Sequence, residues 1–377
     1  MAPPREEPGP VDLPLGKVIG KRWKLIQKLG QGGCGAVYMV QDVNGKGKAA
    51  LKAESNFVAG GSVLKLEAQI LQRMSGKKYV AQLFHAGRKE RYCYMVMTLL
   101  GDSLERVFRR CHKEFTVSTQ VRLGIHILFG IKQLHEVGYV HRDIKPANLA
   151  LGRKGRETKV VHLLDFGLAR EYITVTNGKE ILIPLFTYYF RGTTRYCSAN
   201  THTRSEQGRP DDLWSMLYVL AEMRGPLPWN HLREKKEVGL AKAATSDVRL
   251  LAKCPIQMLE IPKHLRELGY YSRPDYLLIY NTLNGVMNTY GYKLMDPYDW
   301  ETLPSDSALK PISPSIFSKI RTIEDNSGEK TLEVVSPARG PKGSNKNSRY
   351  PEPTGEEKED ESVKYTPEDF AKNEIGF

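Results

Sequence analysis

One stretch, Val140 to Gly167, limits what this chain can fold into more than any other. It carries His141, Arg142, Asp143, Ile144, Lys145, Pro146, Ala147 and Asn148, then a basic turn, then Val160, Val161, His162, Leu163, Leu164, Asp165, Phe166 and Gly167. Asp143 can accept a proton from an attacking hydroxyl. Asn148 and Asp165 offer hard oxygen ligands of the kind Mg²⁺ prefers when it also binds phosphates. Taken singly, His-Arg-Asp is most often a solvated turn and Asp-Phe-Gly ordinary loop punctuation. Both motifs in this order, followed by a basic segment, point to a site that handles phosphate.

The upstream half supplies matching parts. Trp23 to Leu29 alternates like a strand and runs into Gly30, Gln31, Gly32, Gly33, Cys34, Gly35, Ala36 and Val37, a G-x-G-x-x-G-x-V pattern. A second strand-like run, Ala36 to Val40, follows it. Strand, glycine turn, strand suits a lid over phosphates better than the strand-to-helix turn of a dinucleotide fold. Glycine lets the backbone approach the phosphates without a Cβ clash. After a Gly-Lys turn come Ala49, Ala50, Leu51 and Lys52. Val63 to Met74 then has apolar residues at helical spacing, with Glu67 among them. Tyr92 to Met97 reads as a buried strand, and Leu104–Arg110 and Thr119–Val137 as helices, the second strongly amphipathic, with His135 a packed core histidine.

These motifs resemble those of protein kinases. The resemblance implies an α+β, bilobal fold with a small β-rich N-lobe (17–98) and a larger helical C-lobe (102–302), and ATP and Mg²⁺ as cofactors. It implies that Leu29 to Val37 and Ala50 enclose the nucleotide, that Lys52 pairs with its phosphates, and that Glu67, fifteen positions on, holds that lysine. A helical glutamate of this kind is otherwise just solvated. Thr98 to Gly101 becomes the hinge, with Met97 behind the adenine, backbone groups of Leu99 and Leu100 on its edge and Ala150 beneath it. Asp143 becomes the base, Lys145 its neighbour at the γ-phosphate, and Asn148 and Asp165 the metal ligands. Lys145 two positions after Asp143 is the serine/threonine pattern. His141, Phe166, Gly167, Thr193 and Asp212 take bracing roles, with Thr193 expected to bond Asp143 and Lys145. Arg142 either pairs with an activation-segment phosphate or stays with local acceptors.

The match narrows at Arg191, Gly192, Thr193, Thr194, Arg195, Tyr196, Cys197, Ser198, Ala199 and Asn200. Most kinases end this segment in Ala-Pro-Glu. The Ser-Ala-Asn found here is similar to the casein kinase 1 group, and the wording around Asp143 and Thr193 is close to its tau-tubulin kinase branch. The resemblance covers about residues 17 to 302. In that group Arg191 and Arg195, with Lys235 and Lys236, resemble a surface that reads acidic or already phosphorylated substrates; plain solvated cations are the alternative. Two departures stand out. Cys34 sits at the lid tip where an aromatic is usual, read here as a tolerated small residue, and Ala150 replaces a leucine, leaving more room under the purine. A Thr-Asn-Gly turn at 176–178 predicts a hairpin within the activation segment.

Charge and composition set the remaining bounds. Residues 21–300 carry a net charge of +18, whereas residues 301–377, with 11 basic and 15 acidic side chains, carry −4. A field of that sign attracts polyanions, and no DNA-reading motif accompanies it, so the expected partner is an acidic protein substrate rather than nucleic acid. Five cysteines without a CxxC pair favour a reducing compartment, cytoplasmic or nuclear, over a disulfide framework or zinc site. Met1 to Leu15 is proline-rich without an apolar core, and no apolar run is long enough to span a bilayer. Residues 1–16 and 303–377 are expected to be disordered ends, the acidic tail able to fold back over a basic cleft, and the protein a monomer. The expected function is a serine/threonine protein kinase. A pseudokinase scaffold and a polyanion-binding module are the alternatives; Lys52, Glu67, Asp143, Lys145, Asn148 and Asp165, all present, weigh against the scaffold.

Overall fold

Alternation along Trp23–Gln31 (β2) and Tyr92–Thr98 (β6) sorts the N-terminal sheet into two faces. Tyr94 and Val96 join Trp23, Leu25, Tyr38, Val40 and Leu51 in one core, while Met95 between them packs into the other. With Val18–Ile19 (β1), Gly35–Asp42 (β3), Lys48–Ser55 (β4) and Leu83–Arg88 (β5), these strands form a six-stranded antiparallel sheet in the order β1-β2-β3-β4-β6-β5. The helix Leu64–Arg73 (α1) lies against β5 and β6. A computed structural model describes residues 11–32, 35–45, 47–58, 61–176, 179–182, 190–203, 205–303 and 363–373, with the side chains of 174–182 excepted. The lid tip, Gly33 and Cys34, lies outside the described residues.

Pairing of Gly30 with Val37 and Gln31 with Ala36 makes β2 and β3 the predicted strand-turn-strand lid. Gly35 is required by close approach: a Cβ there would lie 1.9 Å from the Ala53 carbonyl oxygen.

The second lobe is helical. Leu104–Arg110 (α2) and the nineteen-residue Val117–His135 (α3) begin on Ser103 and Thr116 caps, as Ser/Thr N-caps favour. Sixteen residues of α3 are buried, so it runs through the core rather than along the surface. Short strands follow: Tyr139–Val140 (β7), Leu149–Leu151 (β8), Val161–Leu163 (β9) and Arg170–Glu171 (β10), with β8 pairing β9 and β7 pairing β10. Ile173–Thr176 (β11) and Lys179–Leu182 (β12) pair as a hairpin in the activation segment, its two-residue turn lying outside the described residues. Then come Ala199–His202 (α4), Arg209–Glu222 (α5), Lys235–Ala244 (α6), Asp247–Leu250 (α7), Glu260–Arg266 (α8) and Tyr276–Tyr290 (α9), of which α5 and α9 pack on α3. This is the bilobal α+β architecture expected.

The segment that ends in Ser198, Ala199 and Asn200 is tied to the helix that follows it. Asp211, at the start of α5, accepts from Ser198 Oγ at 2.5 Å, Asn200 Nδ2 at 3.5 Å and Gly208 N at 2.7 Å. The end of the domain is pinned to α3, where Arg122 donates to the carbonyls of Asp296 and Pro297 and stacks over Tyr298.

Both ends expected to be disordered lie mostly outside the described residues, but a part of each is packed. Within 1–16, the described residues from 11 on are packed: Leu13 is buried in the sheet core, its N–H donates to Tyr38 Oη at 2.8 Å, and Asp12 pairs with Lys28. Within 303–377, residues 363–373 dock on the helical lobe, with a helix at Pro367–Ala371 (α10) against α9 and α3. Average composition concealed a few apolar anchors, Val363, Tyr365 and Phe370, in an otherwise charged tail. Among the described residues no helix is long and apolar enough to cross a membrane.

Candidate active site

The cleft is built from β4, α1, the loop after β7 and the loop after β9. Lys52 and Glu67 are on different elements, and packing of α1 on the sheet brings them together: Lys52 Nζ to Glu67 Oε1 is 2.5 Å, with Asp165 Oδ1 at 3.7 Å and Glu54 Oε1 at 3.6 Å. Burial works against the ammonium charge, but Glu67, Asp165 and Glu54 outweigh it and raise Lys52 above its usual range. Three carboxylates around one lysine leave the site net negative, so a polyphosphate would fit there only together with a divalent cation.

Asp143 lies opposite. Its Oδ1 accepts from Thr193 Oγ1 at 2.7 Å and its Oδ2 from Lys145 Nζ at 2.5 Å, while Lys145 also donates to Thr193 at 3.1 Å. The expected bonds of Thr193 to both residues are present. Gly192, at φ +101°, lets Thr193 reach this position; a Cβ there would meet the Arg142 carbonyl at 2.5 Å.

The loop carrying Asp143 is held from below. Asp212, on α5 and buried, accepts from His141 N at 2.7 Å, Arg142 N at 2.8 Å and His135 Nε2 at 2.9 Å. Its burial favours protonation, but the bond from His135 and the nearby histidines outweigh that and keep the carboxyl below the ordinary carboxylate value. His135 passes the brace on to Tyr276 Oη at 2.7 Å. Sequence reading placed His135 only as core; its link to Asp212 depends on α3, α5 and α9 meeting, which no local motif signals. His141 donates from Nε2 to Leu164 O at 3.1 Å, and its ring packs near Phe166. Arg142 stays with a local acceptor, Leu168 O at 2.7 Å, and burial and the neighbouring Arg170 pull its guanidinium down to about 10.

Asn148 and Asp165 suit a divalent cation. Asn148 Nδ2 donates to Asp143 O at 3.0 Å and to Asp143 Oδ2 at 3.2 Å, and no hydrogen bond among the described residues engages its oxygen. Asp165, at φ +63°, is held below the ordinary carboxylate value, burial being outweighed by Lys52, His141 and Lys145. An amide oxygen and an ionised carboxylate are a hard-oxygen donor pair of the sort Mg²⁺ uses when phosphates and water complete its shell. Among the described residues no cluster of three His, Cys, Asp or Glu offers a protein-only metal cage.

The hinge is anchored to β8. Ala50 pairs with Met97, Gly101 N donates to Leu151 O at 2.8 Å, and Leu151 N to Asp102 O at 3.0 Å, which puts buried Ala150 beside the hinge. Leu29, Leu99 and Leu100 are half-buried and Gly30 is buried.

The four cations expected to read anions are not equivalent. Arg195 pairs with Glu222 at 2.8 Å and donates to Asn230, so its charge is already matched. Tyr196 shares Glu222, and Trp229 Nε1 donates to Arg195 O. Arg191, Lys235 and Lys236 are exposed, with Lys235 over the Phe190 ring. Sequence alone also missed Lys242, buried against Tyr218 and Trp229 and donating to Thr194 O and Cys197 O, which fixes the segment that carries Thr193.

Comparison with known proteins agrees with this geometry. A model of the protein kinase domain matches residues 23–274. A Caenorhabditis elegans protein provisionally named a serine/threonine-protein kinase is 50% identical over 296 residues, 78% of this chain and 86% of the relative. A similarly named Dictyostelium discoideum protein is 34% identical over 300 residues, 79% of this chain and 60% of the relative. The C. elegans inactive tau-tubulin kinase ttbk-6 is 32% identical over 259 residues, 65% of this chain and 89% of the relative. A family model that takes in the sheet, the cleft and most of the helical lobe places this chain in the protein kinase family, the ATP-dependent enzymes that phosphorylate protein hydroxyls.

Proposed function

We propose that the chain is an active serine/threonine kinase of the casein kinase 1 group, near its tau-tubulin branch, acting as a monomer in the cytoplasm or nucleus on acidic or already phosphorylated protein substrates. The observation that carries the activity is the joining of Asp143, Lys145 and Thr193 by three bonds at 2.5–3.1 Å, across the cleft from an intact Lys52–Glu67 pair. Asp143 accepts the proton of the substrate hydroxyl as that oxygen bonds to the γ-phosphorus of ATP, whose bond to the β–γ bridging oxygen breaks, so that ADP leaves. Lys145 neutralises charge on the group in transit, and Lys52, positioned by Glu67, orients the phosphates of ATP. Asn148 and Asp165 would hold Mg²⁺, which when bound offsets phosphate charge. Such catalysis is mostly positioning and charge neutralisation. The acidic preference is supported by the +18 charge of residues 21–300 and by exposed Arg191, Lys235 and Lys236.

The name of the inactive tau-tubulin relative keeps a pseudokinase reading in view. A radiolabelled-ATP assay on casein with Mg²⁺, with Lys52→Ala alongside, separates the two. Transfer by the natural chain and none by the variant supports the kinase; no transfer by either supports the scaffold. A peptide library then reports whether acids or phosphoserine around the target are preferred.

A further inference from the structure

Residues 363–373 sit in a groove built for them. Tyr365 is buried, its ring 4.9 Å from Phe129, 5.3 Å from His126 and 5.7 Å from Tyr79, and its phenol lies 2.5 Å from His126 Nδ1. Phe370 is fully buried, stacked on Tyr280 at 4.3 Å and edge-on to Phe129 at 5.8 Å. Thr366, Pro367 and Glu368 between these anchors face solvent, as does Lys364 just before them. Two cations flank the groove: Lys78 Nζ lies 3.8 Å from Asp369, and Arg273 donates to Lys372 O at 3.0 Å. Thr366 and Asp369 close a capping box that shapes the five-residue helix Pro367–Ala371, which carries Phe370. Two aromatic plugs five residues apart with an acid between them make a short linear motif, here supplied by the chain itself.

One wall of the groove is unlike the others. Lys78 and Tyr79 belong to the connection between α1, which carries Glu67, and β5. Tyr79 has φ +52°, a conformation bulky L residues rarely adopt. Its ring is held between Phe129 and Tyr365, and the adjoining Lys78 carbonyl accepts from Gln133 Nε2 at 2.8 Å. The tail therefore supports a strained link in the connection that follows the helix carrying Glu67. Its contacts are with Lys78, Tyr79, α3, α9 and Arg273, none of them a residue of the cleft, so the described part of the tail does not lie over the cleft.

We propose that residues 363–373 are an intramolecular docking motif that braces the α1–β5 connection and so keeps Glu67 on Lys52, with Tyr365 and Phe370 as positioning residues. The kinetic readout rests on the transfer activity proposed above; the binding and exchange readouts do not. In the full chain, Tyr365→Ala with Phe370→Ala empties the groove. A synthetic 363–373 peptide should bind this double variant and not the natural chain, whose groove is filled in cis. The variant's KM for ATP should rise several-fold and return toward the natural value on adding the peptide, but not on adding a peptide with both aromatics replaced by alanine. Amides of residues 64–80 should exchange several-fold faster in the variant. Phe370→Leu keeps the apolar volume and loses the stacking; should the double variant not fold, faster exchange over 64–80 in this milder variant decides the matter. Unchanged KM and exchange, or peptide binding that restores neither, overturns the proposal, as does failure of the peptide to bind a folded variant. Should no protein substrate be phosphorylated at all, the kinase reading fails while peptide binding and exchange still judge this one.

Discussion

Asp212→Asn is the perturbation whose outcome can be worked furthest from the structure. The buried carboxylate accepts three donors, two of them the consecutive N–H groups of His141 and Arg142, and Arg142 is held at φ +65°. An asparagine of the same shape offers one acceptor oxygen and one NH₂. Turned to keep the two donors on Oδ2, it puts an amide nitrogen against Arg142 N–H. Turned the other way, it deprives His141 N and His135. The cheaper orientation still loses one charge-assisted bond and sets two donors face to face, about 1.5–3 kcal/mol. The left-handed conformation of Arg142 costs the natural chain as much and adds nothing to this difference; any relaxation of the loop offsets part of it. A loss of about 1.5–3 kcal/mol is a sizeable share of a domain stability of about 5–15 kcal/mol, so the variant should fold but unfold at clearly lower urea. Because the lost bonds fix the loop that carries Asp143, kcat should fall at least tenfold, about 1.4 kcal/mol of barrier. The ATP KM should change less than threefold, since Lys52 and Glu67 do not touch Asp212. Urea unfolding followed by tryptophan fluorescence, beside steady-state kinetics, measures both. A variant within about 0.5 kcal/mol of the natural chain and with its kcat would refute the brace.

Asp143→Asn should lower kcat by about 10²–10⁴, the usual contribution of a general base, and leave the ATP KM within about threefold; retention of most turnover in a radiolabel assay removes Asp143 from that role. Glu67→Gln leaves Lys52 facing Asp165 and Glu54 without its closest partner, and should raise the ATP KM roughly tenfold with little change in thermal stability. Burial lowers His126 to about 3 and His162 to about 4 from an ordinary 6.5, so both are neutral in the folded chain, while the unfolded chain takes up protons below about 6.5. Their stabilisation is therefore complete above pH 6.5 and is lost as pH falls from there toward 4, and urea midpoints at pH 7, 6 and 5 should decline less steeply in His162→Gln. Charge reversal at Lys235 and Lys236 should raise KM for an acidic peptide several-fold and not for a neutral one; equal effects on both would return these lysines to a solvated face.

The parts of the site that were legible in sequence are those whose chemistry lies within a few residues. Asp143, Lys145 and Asn148 share one loop, and Lys52 and Glu67 share a spacing that one strand and one helix convert into a contact. Fold class came with the resemblance those motifs carry, and period-two alternation in Trp23–Leu29 and the helical pattern of Thr119–Val137 are local signals that agree with it. The parts that stayed hidden are contacts across the fold. His135 bridges Asp212 and Tyr276 over separations of 77 and 141 residues, and Lys242 reaches back 45 residues to Cys197. Arg195 looked like a free cation because its partner Glu222 lies on another helix. The docked tail was hidden differently: Tyr365 and Phe370 are too few to lift the apolar content of a charged, proline-rich segment, yet each finds a complete aromatic setting on α3 and α9.

Backbone strain shows how the two lobes divide control of this cleft. Arg142 and Asp165 both have positive φ, at 65° and 63°; the first adjoins Asp143, and the second is itself a residue on which the proposed chemistry depends. Such conformations persist only where the surroundings over-determine them. Arg142 is over-determined from the helical lobe, by Asp212 and, through His135, by Tyr276. Asp165 is tied less firmly, by its own turn to Gly167 N at 3.4 Å and by Lys52 at 3.7 Å, and Lys52 depends on Glu67. The base is thus built into the rigid core, whereas the metal-facing acid depends on where α1 lies. A regulator of this chain acts most cheaply on α1, which moves Glu67, Lys52 and Asp165 together and leaves Asp143 in place, and the strained Tyr79 beyond the end of that helix is the point at which the rest of the chain already has hold of it.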